Sequence, residues 1–130
     1  MTYRCDHIHL RSRDAVAAAR FYVEAFGARE IGRDGTSTVS RVMLDLGGLT
    51  VFIEQAPEGL APAATPPHLG IEHIGLAVGD IEAAVADLQA RGVPLVSGIT
   101  DLRPGLRIAF FDGPDHVRIE ILQRGEPVRA

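Results

Sequence analysis

Apolar and polar positions along the chain fall into two successive series of the same kind. Residues 3–11 alternate, with Tyr3, Cys5, His7, His9 and Arg11 on one face and Arg4, Asp6, Ile8 and Leu10 on the other, which predicts a strand. Asp14 then stands as an N-cap before an alanine-rich run, 15–26, that includes Val16, Ala19, Phe21, Tyr22, Val23 and Phe26. Gly27 is placed to close that helix in the left-handed conformation. The Phe21-Tyr22 pair reads as core packing against a sheet. A short edge strand is expected at 28–34, a turn at 35–38, and a strand at 39–46. Gly47-Gly48 predicts a hairpin into the next strand, 49–55. There Thr50, Phe52 and Glu54 share one face, and Val51 and Ile53 the other.

The order then repeats. Residues 71–78 predict a strand with His73, Gly75 and Ala77 on one face. Asp80 caps a helix over 81–91 whose buried stripe is Ile81, Ala84, Val85 and Leu88, and Gly92 ends it. An edge strand at 93–96, a loop at 97–105, a strand at 106–111, a turn at 112–115 and a last strand at 116–122 complete the series. Each series reads β-α-β-β-β: module one over 3–56, module two over 70–124, within a single domain, 1–130. Between them, 57–69 holds four of the eight prolines and reads as a semi-rigid linker. The loops at 32–40 and 97–106 are expected to rim a binding cavity.

Composition narrows the functional classes. With 130 residues and 46% hydrophobic content the chain can build one real core. A formal charge of −4 argues against nucleic acid or an anionic membrane as the main partner. No apolar run approaches the ~20 residues of a membrane span, and Arg11, Arg13 and Asp14 interrupt any secretory leader. The single cysteine, Cys5, allows no intrachain disulfide, so a cytoplasmic location is expected, with Cys5 as a small buried strand residue.

The candidate chemistry lies in the repeat itself. His7 is followed 47 positions later by Glu54, and His73 by Glu120 at the same distance; both pairs are offset by 66. Two histidines and two carboxylates at duplicated spacing supply the donors of an open transition-metal site. A carboxylate such as Glu54 on so apolar a strand needs a partner or water, because burying it alone is costly. His9 and Arg11 project to the same side as His7 and are candidate substrate contacts, as is Arg118. His68 and His116 are expected to be solvent-exposed.

Several stretches together resemble the vicinal oxygen chelate superfamily, which includes glyoxalase I, methylmalonyl-CoA epimerase, extradiol dioxygenases and fosfomycin-resistance proteins. They are Asp6-His7-Ile8, the Phe21-Tyr22 helix ending Phe26-Gly27, Glu72-His73-Ile74-Gly75-Leu76-Ala77-Val78, and 109–115 leading to Arg118-Ile119-Glu120. The resemblance spans 3–124 and implies an α+β fold of two tandem βαβββ modules whose mixed sheets form a cup around one divalent ion. Carried over residue by residue, it implies His7, Glu54, His73 and Glu120 as metal ligands, with Ni, Co, Zn, Fe or Mn as the ion. Glu54 tilts the expectation toward the glyoxalase and epimerase branch, with Glu54 or Glu120 as the base that removes and returns a proton beside a chelated carbonyl.

Two positions depart from the bacterial glyoxalase pattern. Glu58 stands where an asparagine serves glutathione, and Gly113-Pro114-Asp115-His116 replaces the usual Asp-Pro-Asp-Gly turn. A metal-dependent lyase or isomerase acting on a small molecule is the first expectation. An Fe(II) extradiol dioxygenase and a non-catalytic, antibiotic-binding protein are the alternatives. A homodimer is expected from the resemblance, with the modules pairing within one chain or between two.

Overall fold

The computed structural model describes residues 1–128, so the last two positions of the expected domain lie outside it. Module one contains β1 (Ile8–Ser12), α1 (Ala15–Phe26), β2 (Arg29–Gly35), β3 (Val39–Leu46) and β4 (Leu49–Gln55). Module two contains β5 (Ile74–Ala77), α2 (Ile81–Ala90), β6 (Leu95–Arg103), β7 (Leu106–Asp112), a 3-10 turn (Pro114–His116) and β8 (Arg118–Arg124). The chain divides into two compact units, Met1–Pro62 and Ala63–Ala130, at a boundary inside the proline-rich segment. The fold is α+β, with one four-stranded mixed sheet in each module.

The strand orders are β1-β4-β3-β2 and β5-β8-β7-β6. In each module the first strand runs parallel to the last, and the other pairs are antiparallel. Alternation decides the faces. Val42, Leu44, Leu46, Val51 and Ile53 are buried, as are Ala15, Ala18, Ala19 and Tyr22 of α1. Alanines on that helix stripe let the backbone approach the sheet, and Tyr22 is the largest side chain buried there. In module two Ile81, Val85 and Leu88 of α2 are buried together with Ala109, Phe111, Ile119 and Ile121. Ala84 of the expected stripe is only partly covered.

Both helices start as predicted. Asp14 Oδ1 accepts from the Ala17 amide at 3.0 Å, and Asp80 Oδ1 from the Ala83 amide at 3.2 Å. A second clasp was not foreseen. Gln55 Oε1 accepts from the Ala15 amide at 2.9 Å, and Gln123 Oε1 accepts from the Ile81 amide at 3.0 Å. Their amide groups donate to the Arg13 and Gly125 carbonyls. The end of the last strand thus satisfies the first amide of the helix in each module, one of the donors a helix leaves orphaned.

This clasp and the strand register agree on how the modules correspond. His9 pairs with Phe52, whereas Gly75, 66 positions after His9, pairs with Glu120, 68 positions after Phe52. Gln123 likewise lies 68 positions after Gln55. The turn between β7 and β8 is longer than Gly47-Gly48 between β3 and β4, and it carries Asp115 and His116 at φ 58° and 61°. Helix and first strand therefore repeat at 66, but the last strand repeats at 68.

Several expectations need correction. β1 and β5 begin at Ile8 and Ile74, leaving His7 and His73 immediately before them. β1 begins at Ile8, paired with Val51, although β4 starts two residues earlier at Leu49. Tyr3 and Cys5 are accordingly exposed, and Cys5 is not a core residue. The stretch expected as a loop at 97–105 is mostly strand. β6 runs to Arg103 with several register shifts, and the turn is Pro104-Gly105. Its residues are nearly all exposed, so no alternation marks it in the sequence.

Replacing Gln123 by Leu keeps the volume but orphans the Ile81 amide. The expected cost is ~1–3 kcal/mol in urea unfolding, more than for Gln55→Leu, because Gln123 is 1% exposed whereas Gln55 is partly solvated.

Candidate metal-donor sites

In module one, His7 precedes β1 and its Nδ1 lies 2.7 Å from Asp6 Oδ2. The His7 ring stacks on Phe52 with centroids 4.0 Å apart and planes inclined by 21°. The Arg41 guanidinium lies over the same Phe52 ring at 4.8 Å and is held by Asp34 through Nε at 2.9 Å. The structure does not bring Glu54 to His7. Glu54 Oε1 lies 3.0 Å from His9 Nε2, and Glu54 Oε2 accepts from Arg11 Nε at 3.1 Å. These bonds, Arg11's first and His9's second, hold the Glu54 carboxyl below the usual carboxylate range.

In module two, His73 precedes β5 and its Nδ1 contacts Glu72 Oε2. Its Nε2 lies 3.6 Å from Glu120 Oε2, and the edge of the ring meets Phe110. Arg118 Nη1 donates to Glu72 Oε1 at 3.3 Å, while Arg118 Nε is buried without a hydrogen-bond partner. The contact with His73, reinforced by the charge of Arg118, holds the Glu72 carboxyl below its ordinary range. Glu120 is mostly covered, its side chain 17% exposed, and its one ion-pair neighbour among the described residues is His73. Gly75 is its register partner on β5, and a Cβ there would meet Glu120 Oε1 at an ordinary contact distance of 3.6 Å.

The counterparts now line up differently from the 66-residue spacing. Phe52, not Glu54, occupies in module one the register position that Glu120 occupies in module two. His9 stands where Gly75 stands. Glu54 lies one side chain beyond Phe52 on the same face, and its two oxygens meet His9 and Arg11. His9, Arg11 and Arg118, expected as substrate contacts, are each joined to a carboxylate of their own module. His68 and His116 are exposed. Among the described residues no three His, Cys, Asp or Glu side chains gather closely enough to hold an ion.

What does fit a metal is the state of the two histidines. A ligating imidazole characteristically gives one ring nitrogen to a carboxylate and the other to the metal. His7 and His73 each have Nδ1 against a carboxylate, and Glu120 sets a hard oxygen beside Nε2 of His73. Asp6 and Glu72 went unassigned on sequence reasoning. The signal was present, since an acid immediately precedes each candidate histidine.

The family model described as Glyoxalase/Bleomycin resistance protein/Dioxygenase superfamily matches residues 4–121. The chain is 26% identical over 121 residues to YwkD of Bacillus subtilis, across 91% of this chain and 94% of that protein. It is 27% identical over 148 residues to lactoylglutathione lyase of Schizosaccharomyces pombe, covering 96% of this chain and 49% of the lyase, so it spans about half of that relative. Among solved structures, FosX from Listeria monocytogenes, complexed with Mn(II) and sulfate, matches with a TM-score of 0.69 at 20% identity, over 95% of this chain and 93% of that one. That likeness is one of fold.

The Glu54 contacts have a pH signature. Hydrogen bonds to the ionised carboxylate lower its folded pKa, so their stabilisation is complete above the unfolded value and is lost as pH falls through the lower folded one. Arg11→Met should raise the Glu54 titration midpoint toward 4.5, read by carboxyl carbon NMR. An unchanged midpoint would contradict the assigned cause.

Proposed function

The chain belongs to the glyoxalase/bleomycin resistance protein/dioxygenase superfamily, and from that premise we propose that it is a metal-dependent enzyme whose donors are His7, His73 and Glu120. The observation that carries the reading is the repeated acid–histidine contact at Nδ1, with Nε2 of His73 turned to Glu120. The Mn(II) in the structurally similar FosX supports a divalent ion as the cofactor. Two nitrogens and one carboxylate suit Mn, Fe, Co, Ni or Zn, and such an ion supplies Lewis acidity to adjacent oxygens of a small substrate.

The reaction we favour is of the lyase or isomerase type. Glu120 accepts a proton from the carbon beside a substrate carbonyl, the C–H pair becomes a C=C bond as the carbonyl π pair moves onto oxygen, and the electrons return when Glu120 gives the proton back to the same or the neighbouring carbon. Glu120 suits this because its one ion-pair neighbour among the described residues is His73. Glu54, expected as an equal candidate, is a weaker base because Arg11 bonds its carboxylate. Similarity to half of a lactoylglutathione lyase supports this class, while exposed Glu58 argues against a substrate as rich in carboxylates as glutathione.

Phe52 favours a second reading. With an aromatic ring in the fourth position, the set reduces to two histidines and one carboxylate, which also serves non-haem Fe(II) oxygenases. No helix among the described residues is long and apolar enough to cross a membrane. A small-molecule substrate and a homodimeric assembly complete the proposal, the latter checked by light scattering.

Cobalt(II) titration followed by visible absorption tests the donors. One ion per chain is expected, with affinity reduced in His7→Ala, His73→Ala and Glu120→Gln beyond the ~10–100-fold typical of losing an outer partner, and unchanged in Glu54→Gln. A chain that binds no divalent ion at micromolar concentration after reconstitution refutes the reading. Deuterium uptake from heavy water beside a carbonyl marks the lyase or isomerase, and oxygen consumption with catechols under Fe(II) marks the oxygenase. Small-molecule binding that survives chelation marks a non-catalytic binder.

A further inference from the structure

We propose that Glu72, steadied by Arg118, and Asp6 are positioning residues that fix His73 and His7 as the Nδ1–H tautomer and so keep the lone pair on Nε2. The inference rests on the reading of these histidines as donors, and it concerns what holds them ready before any ion arrives.

Consecutive residues within a strand point to opposite faces, so an acid and a histidine at adjacent positions cannot meet there. Both pairs escape that limit in the same way. β1 starts one residue after His7, and β5 one residue after His73. The acid and the imidazole lie ahead of the strand, outside its ladder, where their side chains meet. The same late start occurs in both modules although the last strand repeats at a different offset.

The acceptor matters because free imidazole is a mixture of tautomers. A carboxylate at Nδ1 selects the form in which Nδ1 carries the proton and Nε2 keeps its lone pair, and it raises the basicity of that lone pair. The two pairs differ in strength. Asp6 is 88% exposed and its contact is the kind that water screens heavily. Glu72 is anchored across the sheet by Arg118 of β8, so Arg118, Glu72, His73 and Glu120 form a continuous line of contacts within module two. Arg118 thereby acts on the site through Glu72.

The test is long-range proton–nitrogen NMR of the imidazoles in metal-free, nitrogen-labelled protein, above the ordinary histidine pKa. In the wild-type chain His73 is expected as the Nδ1–H form. Glu72→Gln keeps an acceptor and retains that form, while Glu72→Ala converts the ring mainly to Nε2–H. Cobalt(II) affinity should fall ~10–100-fold in Glu72→Ala, less in Glu72→Gln, and least in Asp6→Ala. Thermal unfolding monitored alongside shows that the variants are folded. A wild-type His73 already in the Nε2–H form, which needs no variant to detect, overturns the proposal. So does a Glu72→Ala protein with unchanged tautomer and affinity. A chain with the expected tautomers that binds no cobalt supports the positioning and refutes the donor reading instead.

Discussion

The parallel pairing of the first strand with the last is the constraint on which each module depends. The chain leaves β1 into a helix and returns through two antiparallel connections, so the contact between β1 and β4 closes the sheet, as that between β5 and β8 does in module two. Sheet hydrogen bonds alone tolerate a slip along the strand. Gln55 and Gln123 remove that freedom, because each binds the first amide of a helix whose start Asp14 or Asp80 has already capped. Strand register and helix position are thereby locked to one another. Which side chain stands beside the strand-entry histidine follows from that lock: Phe52 in one module, Glu120 in the other.

Much of this was legible in the sequence, for reasons that also mark where legibility ends. Period-two alternation separates Val51 and Ile53 from Thr50, Phe52 and Glu54, and burial divides the same residues in the same way. The caps, the limits of α1 and the extents of β3 and β4 follow from local chemistry. Alternation cannot measure register. A one-residue slip exchanges the faces and is visible in the pattern, whereas a two-residue slip preserves them. Glu54 therefore looked like the counterpart of Glu120: it is on the corresponding face, one side chain further along. The glutamines carried the correct offset of 68, but a glutamine ending a strand has no period to betray it. β6 escaped for the complementary reason, since an edge strand exposed on both faces has no apolar side to read.

The corrected register changes the chemistry more than the fold. Two acids in each module lie near a candidate histidine, and their surroundings divide the labour among the four. Asp6 and Glu72 each contact the Nδ1 side of a histidine. Glu54 is committed to Arg11 and His9. Glu120 approaches Nε2 of His73, which is its one ion-pair neighbour among the described residues. At the corresponding place in module one Phe52 lies against His7 and under Arg41, an apolar and cationic setting in which a proton-accepting carboxylate is absent. The two modules thus differ at this position, with a carboxylate beside the histidine in one and an aromatic ring in the other. On the proposed reading, Glu120 of module two is the proton acceptor, while His7 of module one packs against Phe52.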